Sequence, residues 1–130
     1  MKRGGRFRSE LGRVNGLGSA KEGVTHWWAQ RISALALVPL AIWFVAAAVA
    51  HTGADHGGMV EWLSSPLSLG LMIAVVVATF YHAQLGLQVV IEDYIQSEAG
   101  KIALVLLVKS ASLALGLTTI VALLVIAFGN

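Results

Sequence analysis

Residues 67–91 constrain the fold more than any other part of the sequence, because 25 consecutive positions contain no Asp, Glu, Lys or Arg. At about 1.5 Å per residue, a helix of this length crosses a hydrocarbon core of about 30 Å with some tilt. Residues 32–50 are also uncharged, and residues 102–128 contain a single charge, Lys109. The pattern predicts an all-α integral membrane protein built as a bundle of three transmembrane helices.

The composition agrees with a membrane protein, since 57% of the residues are hydrophobic and only 12% are charged. A soluble domain needs more charge on its surface. With 130 residues the chain has room for one bundle, which we expect at residues 24–130. The absence of cysteine excludes disulfides, thiol catalysis and cysteine-ligated zinc or iron–sulfur centres within this chain.

Residues 1–23 form a basic, glycine-rich arm with six Lys or Arg and six Gly. Such a segment cannot bury a core, and it suits anionic lipid headgroups or the surface of a soluble partner. Nucleic acid is not an expected partner, because a membrane span follows directly. A cleavable signal peptide is not expected either, because no apolar stretch follows within the usual distance.

The distribution of positive charge predicts the orientation. Seven of the nine Lys and Arg lie at or before Arg31, and none lies in the connection at residues 51–66. By the positive-inside rule, the N-terminus and the connection at residues 92–100 lie in the cytoplasm. The first connection and the C-terminus are then on the opposite side of the membrane.

His82 is the one histidine within the central span, ten residues before Glu92. It therefore lies about 15 Å from the charged boundary, close to the middle of the bilayer. An ionisable residue at this depth is costly and is a functional hypothesis by default. The residues alone leave three explanations open. His82 could form a hydrogen bond to a neighbouring helix, with Gly86 as a packing glycine. It could instead be a ligand of haem or a metal, with Gly86 making room for that group. The third explanation is a proton relay.

Two further polar features have an ordinary explanation beside a functional one. Lys109 either extends back to the membrane surface or contacts a propionate, a quinone or a partner carboxylate. His51, Asp55 and His56 could be drawn as a metal site, but their irregular spacing among turn-forming glycines favours a solvated loop.

His26 stands beside Trp27 and Trp28 just before the first span, an arrangement typical of anchoring at the membrane surface. Taken alone, Asp93 and Tyr94 are typical of a helix end with an aromatic ring at the membrane surface.

Residues 82–94, H-A-x-x-G-x-x-x-x-x-x-D-Y, resemble the second transmembrane helix of the small anchor subunit of succinate dehydrogenase, respiratory complex II. The resemblance implies that His82 is an axial ligand of the iron of haem b. It also implies that Asp93 and Tyr94 belong to a ubiquinone pocket. Residues 16–34, GLGSAKEGVTHWWAQRISA, resemble the start of the family's first helix, and this implies that Arg31 faces a haem propionate.

The implied function is that of a haem-binding membrane anchor in the inner (cytoplasmic) membrane, with no catalytic residues of its own. Electrons would come from a flavoprotein and an iron–sulfur partner, since this chain has no motif for either cofactor. A second anchor subunit would supply the other axial histidine, because this chain has only one histidine at membrane depth. The alternatives are the anchor of a fumarate reductase working with menaquinone, and a cofactor-free three-helix assembly protein in which His82 only links helices.

Overall fold

The structure, a computed structural model, describes residues 19–129 and contains four helices in this range. They are α1 (Ser19–Ala50), α2 (His56–Ser64), α3 (Pro66–Tyr94) and α4 (Glu98–Phe128). Helices α1, α3 and α4 are long and apolar enough to cross a membrane. The predicted all-α architecture with three transmembrane helices is confirmed. Most of the predicted arm, residues 1–18, lies outside the described residues.

The three long helices extend beyond the uncharged segments that predict them. Helix α1 begins at Ser19, inside the segment predicted as the arm, and α3 continues through Glu92 to Tyr94. The 29 residues of α3 have a length of about 44 Å, against a hydrocarbon core of about 30 Å. The uncharged segments therefore mark the part of each helix that can lie in hydrocarbon, while the helices themselves reach into the headgroup layers.

The connection between α1 and α3 is more ordered than the sequence predicts. Gly53 makes the turn with a φ of +86°, a conformation that other residues rarely adopt. Asp55 then caps α2 by accepting a hydrogen bond of 2.8 Å from the backbone N–H of Gly58. The solvated loop predicted for this connection therefore contains a helix at residues 56–64. The cap and the packing of α2 against α3 and α4 outweigh the low helix propensity of two glycines.

Helix α3 is the centre of the bundle, packing against α1 on one side and against α4 on the other. The most buried apolar side chains on the α3–α4 side are Leu69, Val76 and Leu123. Gly116 of α4 is buried against Phe80, whose ring would lie 3.6 Å from an added Cβ. Helix-to-helix contact at a glycine is the usual way in which membrane helices approach closely.

The bundle is thinly packed. Among residues 23–129, no large side chain is less than 2% exposed. Large apolar side chains are exposed along all three long helices, for example Leu35, Leu67 and Leu107. These faces can contact lipid or another subunit, so the isolated chain presents far more apolar surface than it buries.

Candidate functional site

His82 lies in the interior of α3, and its ring points at α1. The Nδ1 atom is 2.9 Å from the hydroxyl oxygen of Ser33. The same hydroxyl lies 2.9 Å from the backbone carbonyl of Gln30 and donates a hydrogen bond to it. The Nε2 atom of His82 has no hydrogen-bond partner among the described residues. His82 is therefore held by one ring nitrogen, and the other is available to a ligand.

Gly86, one turn further along α3, faces the same helix. A Cβ added there would lie 3.7 Å from the side-chain nitrogen of Gln30, which is an ordinary van der Waals distance. Within this chain, an alanine would therefore fit at position 86. Helix packing alone does not require the glycine, and this leaves open a role in making room for a flat ligand.

Asp93 and Tyr94 end α3, and both are exposed. The exposed fraction of Tyr94 is 79%. Neither side chain has a hydrogen-bond or ion-pair partner within residues 19–129. Their neighbour Glu92 differs, because it accepts a hydrogen bond of 3.0 Å from Gln88. Since α3 is continuous from His82 to Tyr94, the two residues are about 18 Å apart along the helix axis.

Arg31 does not join His82 in this structure. Its guanidinium lies 5.1 Å from the centre of the Trp27 ring, a cation–π distance. Ser33 lies two positions after Arg31, which corresponds to a rotation of about 200° around a helix. Arg31 therefore lies on nearly the opposite side of α1 from the residue that contacts His82, where lipid or another subunit can reach it.

Lys109 lines a cavity of about 720 Å³ between α1, α3 and α4. The other polar side chains that line this cavity come from α1 and α3, so Lys109 shares the cavity with polar groups. The lining residues with polar side chains are Thr25, His26, Tyr81, Gln84, Gln88, Glu92 and Lys109.

The residues drawn as a metal site in the first connection have other contacts. The His51 ring stacks on Trp62 with centroids 4.4 Å apart, and its Nδ1 is 2.8 Å from the carbonyl of Ala47. Asp55 caps α2, and His56 is exposed at the start of that helix. The three side chains therefore do not converge on a common point.

Sequence reasoning missed Ser33, which at 6% exposed is the most buried polar side chain of the described part. A signal was present in the sequence. His26, Gln30 and Ser33 follow each other at four- and three-residue steps, which predicts a polar stripe on one face of α1. The stripe faces α3, and His26 Nε2 and Gln30 Oε1 on it are buried without a partner in the described range.

The comparisons with known proteins point to one family. The succinate dehydrogenase/fumarate reductase transmembrane subunit family matches residues 6–128. The chain belongs to this family. A succinate dehydrogenase hydrophobic membrane anchor subunit of Rickettsia bellii is 38% identical over 122 residues, covering 94% of each chain. A protein described in the same words from Rickettsia conorii is 32% identical over 104 residues, covering 79% of this chain and 82% of its own.

A more distant relative from Paracoccus denitrificans, also described as a succinate dehydrogenase hydrophobic membrane anchor subunit, is 30% identical over 92 residues and covers 71% of each chain. The matches to this transmembrane subunit family agree with the fold, because the three long helices make the chain a multi-pass membrane protein. They confirm the resemblance carried by the motif at residues 82–94.

The donor set of this family member fits an axial haem ligand. Ligation needs one imidazole nitrogen free of hydrogen bonds and the other preferably hydrogen-bonded, and the ring of His82 has this arrangement. His26 cannot share the same iron, because it lies seven residues before Ser33, which is about 10 Å along α1. The other two histidines, His51 and His56, lie beyond the far end of α1. A bis-histidine haem would therefore take its second ligand from another chain.

Proposed function

We propose that this chain is the hydrophobic membrane anchor subunit of a succinate dehydrogenase, that it co-ligates haem b through His82, and that it contributes to a ubiquinone reduction site through Tyr94 and Asp93. The observation that carries the proposal is the position of His82. It lies mid-helix at membrane depth, it is held at Nδ1 and free at Nε2, and it precedes the Asp-Tyr pair by the family's spacing.

The partners follow from what the chain lacks. A flavoprotein and an iron–sulfur subunit supply electrons, and a second anchor subunit supplies the other axial histidine. Haem, when bound, carries one electron at a time. The C-terminal end of α3, at Asp93 and Tyr94, is exposed and suits contact with these subunits. Neither side chain forms a hydrogen bond or an ion pair within residues 19–129.

Quinone reduction takes up two electrons and two protons, so a quinone site needs polar groups at the boundary between lipid and water. The phenol of Tyr94 can donate a hydrogen bond to a quinone carbonyl without carrying a charge at neutral pH. The carboxylate of Asp93 can orient the phenol or a partner arginine, or pass protons from the aqueous side. Arg31 remains a predicted partner of a haem propionate, supported by the resemblance of residues 16–34.

Two other functions use the same residues. The anchor of a fumarate reductase belongs to the same family, but the relatives named above are all described as succinate dehydrogenase subunits. A cofactor-free assembly protein would use the bond between His82 and Ser33 as a link between helices. The absorption spectrum of the purified complex separates these proposals. We expect a reduced b-type α band, and a complex without one would contradict haem binding.

The proposed site requires Tyr94 on the cytoplasmic side, and the lack of cysteine in the chain allows a direct test. Thr52→Cys and Gln96→Cys each place one thiol in an exposed connection. In intact cells, or spheroplasts if an outer membrane is present, a membrane-impermeant maleimide should label the thiol at position 52 and spare the one at position 96. The reverse pattern would place Tyr94 away from the cytoplasmic electron donor and would contradict the quinone-site proposal.

A further inference from the structure

The bond between His82 and Ser33 determines which ring nitrogen carries the proton. The Ser33 hydroxyl lies within 2.9 Å of two groups, the Gln30 carbonyl and His82 Nδ1. A hydroxyl has one hydrogen to donate and two lone pairs to accept with. The Gln30 carbonyl can only accept, so the Ser33 hydrogen goes to it.

It follows that the Ser33 oxygen accepts a hydrogen bond from His82 Nδ1–H. The three groups form a directed chain from the imidazole N–H to the Ser33 oxygen, and from the Ser33 O–H to the carbonyl of Gln30. A neutral imidazole protonated at Nδ1 has its lone pair on Nε2. In the opposite arrangement, with Ser33 donating to Nδ1, the proton would lie on Nε2 and block metal ligation there.

The surroundings strengthen this arrangement. Ser33 is only 6% exposed, so no water competes readily for its hydroxyl, and an unpaired N–H at this depth would be costly. Its donation to a carbonyl three residues earlier on the same helix keeps the hydroxyl in place independently of His82. Helix α1 alone therefore holds the Ser33 oxygen in the position where it accepts the hydrogen bond from the imidazole.

We propose that Ser33 is a positioning residue for haem ligation: it fixes the tautomer and ring plane of His82 so that Nε2 is the nitrogen presented to the iron. This inference rests on the proposed haem-binding function. An acceptor on Nδ1–H also makes the imidazole a stronger electron donor. Such a ligand favours ferric over ferrous iron, so Ser33 lowers the midpoint potential of the haem.

The test uses the purified complex with Ser33→Ala. Removing a hydrogen-bond partner of a metal ligand typically weakens metal binding about 10- to 100-fold. We expect haem transfer to a scavenging apoprotein to accelerate by a comparable factor. We also expect the midpoint potential to rise and the low-spin electron paramagnetic resonance signal to change, because both respond to the hydrogen bond on the imidazole.

Two further variants separate positioning from packing. Ser33→Thr retains a hydroxyl that can reach the same carbonyl, so it should restore the potential and the resonance signal. Ser64→Ala is the matched control, since it removes a serine hydroxyl that donates within its own helix, to Val60, and has no contact with His82. It should leave both values unchanged. If Ser33→Ala does not assemble, Ser33→Cys keeps the side-chain volume and should raise the potential in the same direction.

Normal haem retention, potential and resonance signal in Ser33→Ala would overturn the inference. The inference would also be overturned if Ser33→Thr failed to restore the midpoint potential of the haem. Ser33 would then act through packing and not through its hydroxyl. These results differ from a failure of the proposed function itself. In that case His82→Ala would retain a bis-histidine haem, whatever the behaviour of the Ser33 variants.

Discussion

The two polar regions of α3 differ in how many contacts this chain provides for their side chains. In the middle of the helix, His82 is bonded to Ser33, and Ser33 is bonded to the backbone of its own helix. At the end of the helix, Tyr94 is 79% exposed, and neither it nor Asp93 has a partner in residues 19–129. The comparison indicates that this chain orients His82, the proposed haem ligand, by itself, whereas Asp93 and Tyr94, the proposed quinone residues, would depend on neighbouring subunits for their surroundings.

The largest expected effect comes from His82→Ala, which removes the proposed haem ligand and leaves the three spans able to insert. We expect loss of the bis-histidine absorption spectrum and weaker association with the second anchor subunit, because the haem would join the two. His51→Ala is the matched control, since that histidine stacks on Trp62 at the other end of α1. An assembled His82→Ala complex with an unchanged spectrum would contradict the assignment of the ligand.

Tyr94→Phe tests the other region and should have an intermediate effect. The change removes one hydroxyl and keeps the ring, so insertion and haem content should be normal at about 18 Å from His82. Losing one hydrogen bond costs about 0.5–1.5 kcal/mol, or up to about 3 when a buried group loses its partner. This corresponds to a several-fold to about hundredfold slower reduction of ubiquinone.

The assay for Tyr94→Phe compares electron transfer from succinate to ubiquinone with transfer to an artificial acceptor at the soluble subunits. Only the first should decrease. Tyr81→Phe provides the control, because it makes the same chemical change at the other tyrosine of the chain. Equal loss of both activities would mean that Tyr94 acts in assembly, and unchanged ubiquinone reduction would leave it as an interfacial anchor.

The smallest expected effect is at Gly86. Among the described residues, and apart from the backbone of its own helix, a methyl group there meets nothing closer than 3.7 Å, so Gly86→Ala should insert and assemble normally. We expect a partial loss of haem, because the methyl group would occupy space needed by a flat ligand next to His82. Gly70→Ala is the control, since a Cβ at position 70 of the same helix would meet no other part of the described chain within 4 Å, its own helix backbone aside. Full haem content in Gly86→Ala would make Gly86 a packing residue only.

The sequence predicted the spans well because lipid imposes a simple rule: a single apolar segment that crosses hydrocarbon must satisfy its own backbone hydrogen bonds, as a helix does. It did not predict the helix ends, since Arg31 and Glu92 are tolerated once the helix leaves hydrocarbon. It also missed α2, where tertiary packing and the Asp55 cap outweigh the turn-forming glycines.

The candidate site could be predicted only in part. The spacing from His82 to Tyr94 is a property of one helix, so it can be read along the sequence. The contact between His82 and Ser33 joins residues 49 positions apart, and it depends on how α1 and α3 are rotated against each other. No local pattern specifies that rotation. The same rotation decides that Arg31 lies on the far side of α1 from Ser33, and its predicted contact with a haem propionate stays a prediction.

The thin packing of the bundle has a consequence for how the cell controls the amount of this subunit. A chain with so little enclosed surface gains stability by mass action from any partner that binds its folded form, about 2.7 kcal/mol when the free partner is at 100 times its dissociation constant. We therefore expect copies made in excess of their partners to lack this stabilisation and to be degraded first. The ratio of subunits in the membrane would then be set after synthesis, by the lifetime of the unassembled chain.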